Sequence, residues 1–299
     1  MKVTITGASG FVGQNLLLYF KDKQWEVEAL SLRDDSWNEN FPKTGDAIIH
    51  LAGKAHDTSN TSSTNVYFEI NRDLTIELFN CFLKSDIRDF VFFSSVKAVA
   101  DTVLNELSEN TDPNPKTPYG QSKYEAEQYL LKQELPENKR LFIIRPCMIH
   151  GPGNKGNLNL LYNVVRKGLP WPLACFNNNR SFLSIDNLMF LIEEIVKKSE
   201  LKSGIYNFSD DDTLSTNDLV SLIGHTLGKK EKLWNISPSI IRLIARLGDI
   251  IPLPLNSERL KKLTESYVVS NSKIKRDLEI TQLPITIKEG LVKTFRSFN

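Results

Sequence analysis

Short runs of apolar, β-branched and aromatic residues alternate with longer stretches of helical period through the first half of the chain. Lys2–Thr6, Val27–Leu32, Ala47–Leu51, Phe90–Phe93 and Leu141–Arg145 are the runs that predict strands. Between them, Phe11–Lys23, Tyr67–Ser85 and Tyr119–Glu134 predict helices. The last is opened by Thr117 as a cap and by Pro118 at the first turn. This alternation is the pattern of parallel βαβ units, and it predicts an α/β fold with a Rossmann-type doubly wound parallel sheet. Arg33–Asp46, which separates the second predicted strand from the third, is too short for a further strand and a crossover helix, so one unit is abbreviated.

After His150-Gly-Pro-Gly153 the texture changes to Asn-rich and Pro-containing loops, a late helix around Pro238–Leu247 and a Lys/Arg-rich tail. The division expected is a first domain over residues 1–155 and a smaller C-terminal domain over most of 156–299, with Gly204–Ser209 returning to the sheet as one more strand. The most apolar stretch, Ser237–Leu255, is interrupted by Arg242, Arg246 and Asp249, which argues against a bilayer span. An amphipathic helix packed on a core is expected there, with no membrane partner.

Thirty-seven basic against thirty-six acidic residues leave a formal charge of +1, without a long block of one sign to hold nucleic acid. A small-molecule partner fits this balance better. The three cysteines, Cys81, Cys147 and Cys175, are odd in number and widely spaced, which suits a reducing, cytoplasmic setting. Met1-Lys-Val-Thr-Ile-Thr6 enters the first strand directly, and no export leader is expected. His50, His56, His150 and His225 form no metal-ligand pattern, so no metal is expected, and there is no G-x-S-x-G elbow.

Thr6-Gly-Ala-Ser-Gly-Phe-Val-Gly13 follows the first strand and opens the first helix. Glycines at 7, 10 and 13 permit a tight turn and let the backbone approach a pyrophosphate, whose charge meets free N–H groups and the helix dipole. In this strand–loop–helix setting Gly7, Ser9, Gly10, Phe11, Val12 and Gly13 are the candidate dinucleotide contacts. At the end of the second strand Ser31 and Arg33 suit the 2′-phosphate of NADP, while Asp34 and Asp35 stand near the spacing that serves the ribose of NAD. Arg33 tips the expectation towards NADP over NAD.

With that loop, Ile49-His-Leu-Ala-Gly53, Phe92-Phe-Ser-Ser95, Tyr119-Gly-Gln-Ser-Lys123 and Arg145-Pro146 through Gly151-Pro-Gly153 follow in order. The chain thereby resembles the extended short-chain dehydrogenases/reductases, and within them the NAD-dependent epimerase/dehydratase group that acts on nucleotide sugars. The resemblance implies that Leu51, Ala52 and Gly53 border the cofactor and that the C-terminal domain binds substrate. It also implies that Asn71 steadies the active-site backbone, that Arg180 pairs with the substrate diphosphate, and that the chains form homodimers through Tyr67–Ser85 and Tyr119–Glu134.

Tyr119 and Lys123, four apart on one helix face, match the family's acid/base tyrosine and its supporting lysine, which also holds the cofactor ribose. A free phenol is a poor base at neutral pH, and a nearby ammonium stabilises its phenolate. The same spacing recurs at Tyr19 and Lys23, two to three turns beyond the glycine loop, where core packing and solvent are the expected roles. The family's serine or threonine, which bonds the reacting oxygen, is expected at Ser95, with Ser94 second; a rigid count from the strand falls on Val96. Lys97 has no assigned role. The reaction expected is 4-epimerisation or reduction of a 4-keto sugar, with a catalytically silent dinucleotide sensor as the alternative that Val96 motivates.

Overall fold

The computed structural model describes residues 1–34, 36–54, 63–154, 156–251 and 255–298, so that Asp35 and His56 lie outside the described residues. Six parallel strands form the main sheet: β1 (Lys2–Thr6), β2 (Glu26–Leu30), β3 (Thr44–His50), β4 (Asp86–Phe93), β5 (Arg140–Pro146) and β6 (Gly204–Phe208), in the order β2-β1-β3-β4-β5-β6. The apolar runs divide between two faces with the period of a strand. Ile49, Val91, Phe93, Phe142 and Ile144 enter one core, while Ile48, Phe90, Phe92, Leu141 and Ile143 enter the other. A sheet buried on both sides needs such uninterrupted runs, because no position faces water.

Helices cover both faces. Buried residues of α1 (Phe11–Asp22) and α6 (Ile185–Lys197) join the first core, and those of α3 (Leu74–Leu83) and α4 (Pro118–Leu131) join the second. Among the described residues between β2 and β3 only a 3₁₀ turn, Trp37–Asn40, intervenes, as the short spacing predicts, and β2 is left as the edge strand. Its Glu26 and Glu28 carboxylates meet Lys2 Nζ at 3.2 and 3.0 Å, charged pairs of the kind that keep an edge from pairing further. The strand order reverses about β1 and β3, which opens a crevice beyond their carboxyl ends, the usual ligand position in such sheets.

The predicted helix over Tyr67–Ser85 is broken. Its α2 (Thr64–Phe68) and α3 are joined by a π turn over Glu69–Asp73, an irregularity the apolar period does not reveal. A three-stranded sheet begins with Met148–His150, just before residue 155, continues with Arg180–Ser184 and Thr213–Leu214, and packs with α5 (Asn157–Arg166), α7 (Thr216–Thr226), α8 (Pro238–Gly248), α9 (Ser257–Thr264) and α11 (Ile287–Arg296). Most of these helices' buried residues share a separate core, but α6, β6 and buried residues of α10 (Ser272–Leu278) belong to the core of the main sheet. The late helix departs from expectation: Ile241 and Ala245 of α8 are buried, whereas Ile240, Leu243, Ile244 and Leu247 are exposed.

Candidate active site

The glycine loop is built by contact. At Gly7, φ is +69° and a Cβ would lie 2.6 Å from the Ala52 nitrogen. At Gly13 it would lie 2.4 Å from the Gly7 carbonyl. The loop therefore lies against the Leu51–Gly53 segment that leaves β3, and α1 begins under it. Gly10 and Ser9 are exposed, Phe11 and Val12 partly so, and the first turn of α1 carries no acidic residue. Exposed glycine backbone over an uncompensated helix N-terminus fits a pyrophosphate.

A buried chain of hydrogen bonds ties this loop to the π turn. Ala52 N–H donates to Thr6 Oγ1 (3.2 Å); Thr6 Oγ1 meets His50 Nδ1 (2.7 Å); His50 Nε2 meets Thr75 Oγ1 (2.9 Å); Thr75 Oγ1 donates to the Asn71 carbonyl (2.8 Å). Burial first, and the Lys123 charge second, lower the His50 pKa to about 3, so the ring is neutral. With Thr75 spending its only proton on Asn71, His50 carries its hydrogen on Nε2 and accepts from Thr6 on Nδ1. Each donor in the chain is then used once.

The π turn sets Asn71 inward. Its Oδ1 accepts the Lys54 N–H (2.8 Å), and its Nδ2 donates to the Lys54 carbonyl (3.1 Å) and to Ser122 Oγ (3.1 Å). Asn71 is fully buried and clasps the backbone just beyond Gly53, while Ser122 fastens the clasp to α4. A Cβ on Gly53 would lie 2.9 Å from Asn71 Oδ1 and 3.2 Å from Lys123 Nζ, so this glycine is part of the same fit.

Helix α4 starts as the sequence dictates: Thr117 Oγ1 accepts the Gly120 N–H at 3.2 Å, and Pro118 stands in the first turn. Gly120 lets this turn press on the 3₁₀ turn Val96–Ala98, since a Cβ there would lie 2.4 Å from the Lys97 carbonyl. That approach brings Tyr119 to Ser95. The Ser95 hydroxyl accepts the Lys97 N–H (3.1 Å) and lies near enough to the Tyr119 phenol to favour its ionised form. Burial raises the phenol's pKa and the Ser95 hydroxyl opposes the rise, the sense of a donor to the phenolate. Val96, the position of the rigid count, is buried in the core.

Lys123 is buried, with Nζ donating to the Phe93 carbonyl at 2.9 Å and lying 4.8 Å from the Phe92 ring centroid. Burial lowers its pKa to about 8, against the opposing charge of Glu127. Its hydrogen bond goes to the carbonyl, whereas burial, Ser95 and then Tyr67 act on the phenol's pKa. Ser94 points elsewhere, donating to Glu127 Oε1. Arg145 completes that group, with Nη2 2.5 Å from Glu127 Oε2 and Nε 3.0 and 3.2 Å from its two oxygens. Glu127, one turn beyond Lys123, is a site residue that sequence reasoning missed; the Lys-x-x-x-Glu spacing is its only signal.

From the second sheet Arg180 donates to the Lys262 carbonyl at 2.7 Å, and burial lowers its pKa against the opposing charge of Glu265. Lys97 lies close enough that burial first, and the Arg180 charge among further influences, depress its own pKa, while Asp101 opposes. Its ammonium sits 4.2 Å from the Tyr267 ring centroid and donates to the Asp101 carbonyl. At the rim of β2, Ser31 and Arg33 are exposed, and the Asp34 carboxylate accepts from Ser36 N–H and Oγ at 3.1 and 2.9 Å. Among the described residues no group of three or more His, Cys, Asp and Glu side chains could hold a metal.

Residues 3–208 match the NAD dependent epimerase/dehydratase family. The chain is 29% identical to a UDP-glucose 4-epimerase of Vibrio cholerae over 99% of this chain and 95% of that protein. It is 27% identical to an N-acetyl-alpha-D-glucosaminyl-diphospho-ditrans,octacis-undecaprenol 4-epimerase of Escherichia coli O157:H7 over 98% and 94%. Among solved structures, that of RMD from Pseudomonas aeruginosa complexed with NADPH superposes with a TM-score of 0.77 at 19% identity, covering 100% of this chain and 99% of that one. The Thermus thermophilus UDP-glucose 4-epimerase complex with NAD superposes with a TM-score of 0.75 at 19% identity, over 100% and 99%.

Proposed function

The chain belongs to the NAD dependent epimerase/dehydratase family, and we propose that it transforms C4 of a nucleoside-diphosphate sugar with Tyr119 as its acid/base. The observation that carries this reading is the press of the first turn of α4 on the Val96–Ala98 turn, where a Cβ on Gly120 would lie 2.4 Å from the Lys97 carbonyl, which sets Tyr119 near Ser95 at the end of β4 beside the buried Lys123. A nicotinamide dinucleotide, when bound, would supply and accept the hydride at C4. Gly7, Ser9, Gly10, Phe11, Val12 and Gly13 would hold its pyrophosphate, Leu51, Ala52, Gly53 and Asn71 would border it, and Lys123 would hold its ribose.

Tyr119 takes or returns the proton of the C4 hydroxyl. Ser95 bonds the same oxygen and stabilises the phenolate. Ser94 is reassigned from reserve catalytic serine to the structural group it forms with Glu127 and Arg145. The substrate diphosphate falls to Arg180, whose forked guanidinium suits it.

Epimerase and 4-keto reductase stand level. Three of the relatives in sequence are 4-epimerases by name, one of them by a provisional name. The rim of β2 favours the reductase, because Arg33 is exposed while Asp34 is occupied by Ser36, an arrangement that suits NADP over NAD. The nearness of the Ser95 hydroxyl to Tyr119 weighs against a silent sensor, whose motive was the valine at 96.

Native mass spectrometry of the purified protein, followed by assay on UDP-sugars and 4-keto sugars, tests the reading. Retained NAD with C4 inversion and no net cofactor turnover would exclude the reductase, and stoichiometric NADPH consumption would exclude the epimerase. If wild type and Tyr119→Phe share the same activity or the same cellular function, Tyr119 is not the acid/base.

A further inference from the structure

Fourteen large apolar side chains are exposed among the described residues, and eight of them fall between Leu233 and Ile251. Helix α8 carries two apolar stripes. Ile241 and Ala245, 2% and 1% exposed, seat it in the second core. Ile240, Leu243, Ile244 and Leu247, spaced i, i+3, i+4 and i+7, form the other stripe and are 39% to 60% exposed. The apolar surface continues past the helix through Ile250 and Ile251, 82% and 50% exposed. On the remaining flank, at about 100° per residue, stand the exposed Arg242 and Arg246.

Charge is concentrated in the same segment. Residues 228–262 hold eight Lys/Arg and three Asp/Glu, a net +5 in a chain whose total is +1, so the rest of the chain carries −4. An exposed apolar stripe bordered by basic residues on a helix too short to span is the make-up of a helix that lies in a membrane interface. Among the described residues no helix is long and apolar enough to cross a membrane. Trp234, 52% exposed, adds an amphipathic ring of the type enriched at headgroup level.

We infer that the α8 face docks on an anionic membrane surface, with the apolar stripe among the acyl-chain ends and the arginines among the headgroups. A second copy of the chain is the competing occupant. In a two-fold contact the same patch faces itself, which sets each +5 segment against its twin. The anionic lipid surface satisfies both the apolar stripe and the charge. This inference stands apart from the reaction proposed above, since it uses none of the residues assigned to it.

Sedimentation of the full chain with vesicles of phosphatidylcholine alone and with one third phosphatidylglycerol tests it. Binding to the anionic vesicles in about 0.1 M salt, weakened in about 1 M, is expected. The Leu243→Glu/Leu247→Glu variant should lower the bound-to-free ratio by about tenfold or more, with the thermal midpoint unchanged. Should that variant fail to fold, Arg242→Glu/Arg246→Glu, exposed on the other flank, is expected to give a similar fall. No sedimentation with either vesicle, or binding that a folded variant keeps in full, overturns the inference. So does a wild-type dimer that ignores vesicles and that the apolar variant splits into monomers, because a second copy then owns the face.

Discussion

Two tyrosines in this molecule stand four residues before a lysine on a helix, and their surroundings make them opposites. Tyr19 donates to the Glu193 carboxylate, and Lys23 reaches the same carboxylate at 3.3 Å while sitting 5.2 Å from the Tyr19 ring centroid. Burial, and then the Glu193 bond and charge, raise the Tyr19 pKa far above the usual phenol range. Tyr119 meets a hydroxyl instead, and its lysine is held at a backbone carbonyl. The spacing supplies a shared face in both places. The third partner decides whether a phenolate can form there. Lys23, expected to face only solvent, is in fact half of an ion pair.

The widest difference between the pairs should appear on removing each phenol. Tyr119→Phe is expected to lower kcat by about 10²–10⁴-fold, the usual worth of a positioned acid/base, with little change in the thermal midpoint. Steady-state kinetics beside a melting curve separates the two effects.

Next in size is the support beneath the second pair. Glu127→Ala leaves the Arg145 guanidinium without its buried carboxylate and Lys123 without its opposing charge. A loss of about 3–5 kcal/mol in chemical denaturation is expected. Glu127→Gln, which keeps the shape and half the hydrogen bonds, should lose less.

A pH profile sharpens the contrast between the lysines. Lys123 falls from 10.5 to about 8 on burial, so kcat/KM should decline above about pH 8 as its ammonium is lost. Stability moves the other way: between about pH 8 and 10.5 the unfolded chain binds the extra proton, and this group's contribution to stability rises with pH across that window. Lys123→Met should abolish that rise, whereas Lys23→Met should leave both limbs in place. Equal profiles for the two variants would erase the distinction drawn between the pairs.

The smallest effect belongs to Tyr19→Phe. It removes one hydrogen bond to a carboxylate that Lys23 and Lys197 still serve, so about 1 kcal/mol or less of stability is expected to go. Turnover should stay within about twofold of wild type, because Tyr19 has no contact with the reacting groups.

Much of the frame is legible along the chain. Glycines at 7 and 13 are demanded by close backbone approach, Thr117 and Pro118 start α4, and the uninterrupted apolar runs of β3, β4 and β5 reveal a sheet covered on both faces. The short interval before β3 also announces the missing unit. The π turn at Asn71 is hidden, since one extra residue in a helical turn leaves the apolar period nearly intact. The Glu127–Arg145 pair is hidden because a charged residue on a predicted helix reads as solvated until its neighbours are known. On α8 the apolar period predicts the helix, yet period alone does not say how many of its stripes the core will cover.

By itself the sequence determined the local choices: where strands run, where helices start, where only glycine fits, and which tyrosine follows a dinucleotide loop and a serine-bearing strand. These follow from the steric and hydrogen-bonding properties of neighbouring residues. Only the tertiary structure decided what each side chain meets. Tyr19 finds Glu193 across 174 positions and Tyr119 finds Ser95 across two elements, and burial then sets their protonation. Electrostatic partners and dielectric surroundings belong to positions in space, and a linear order of residues does not contain them until the chain has packed.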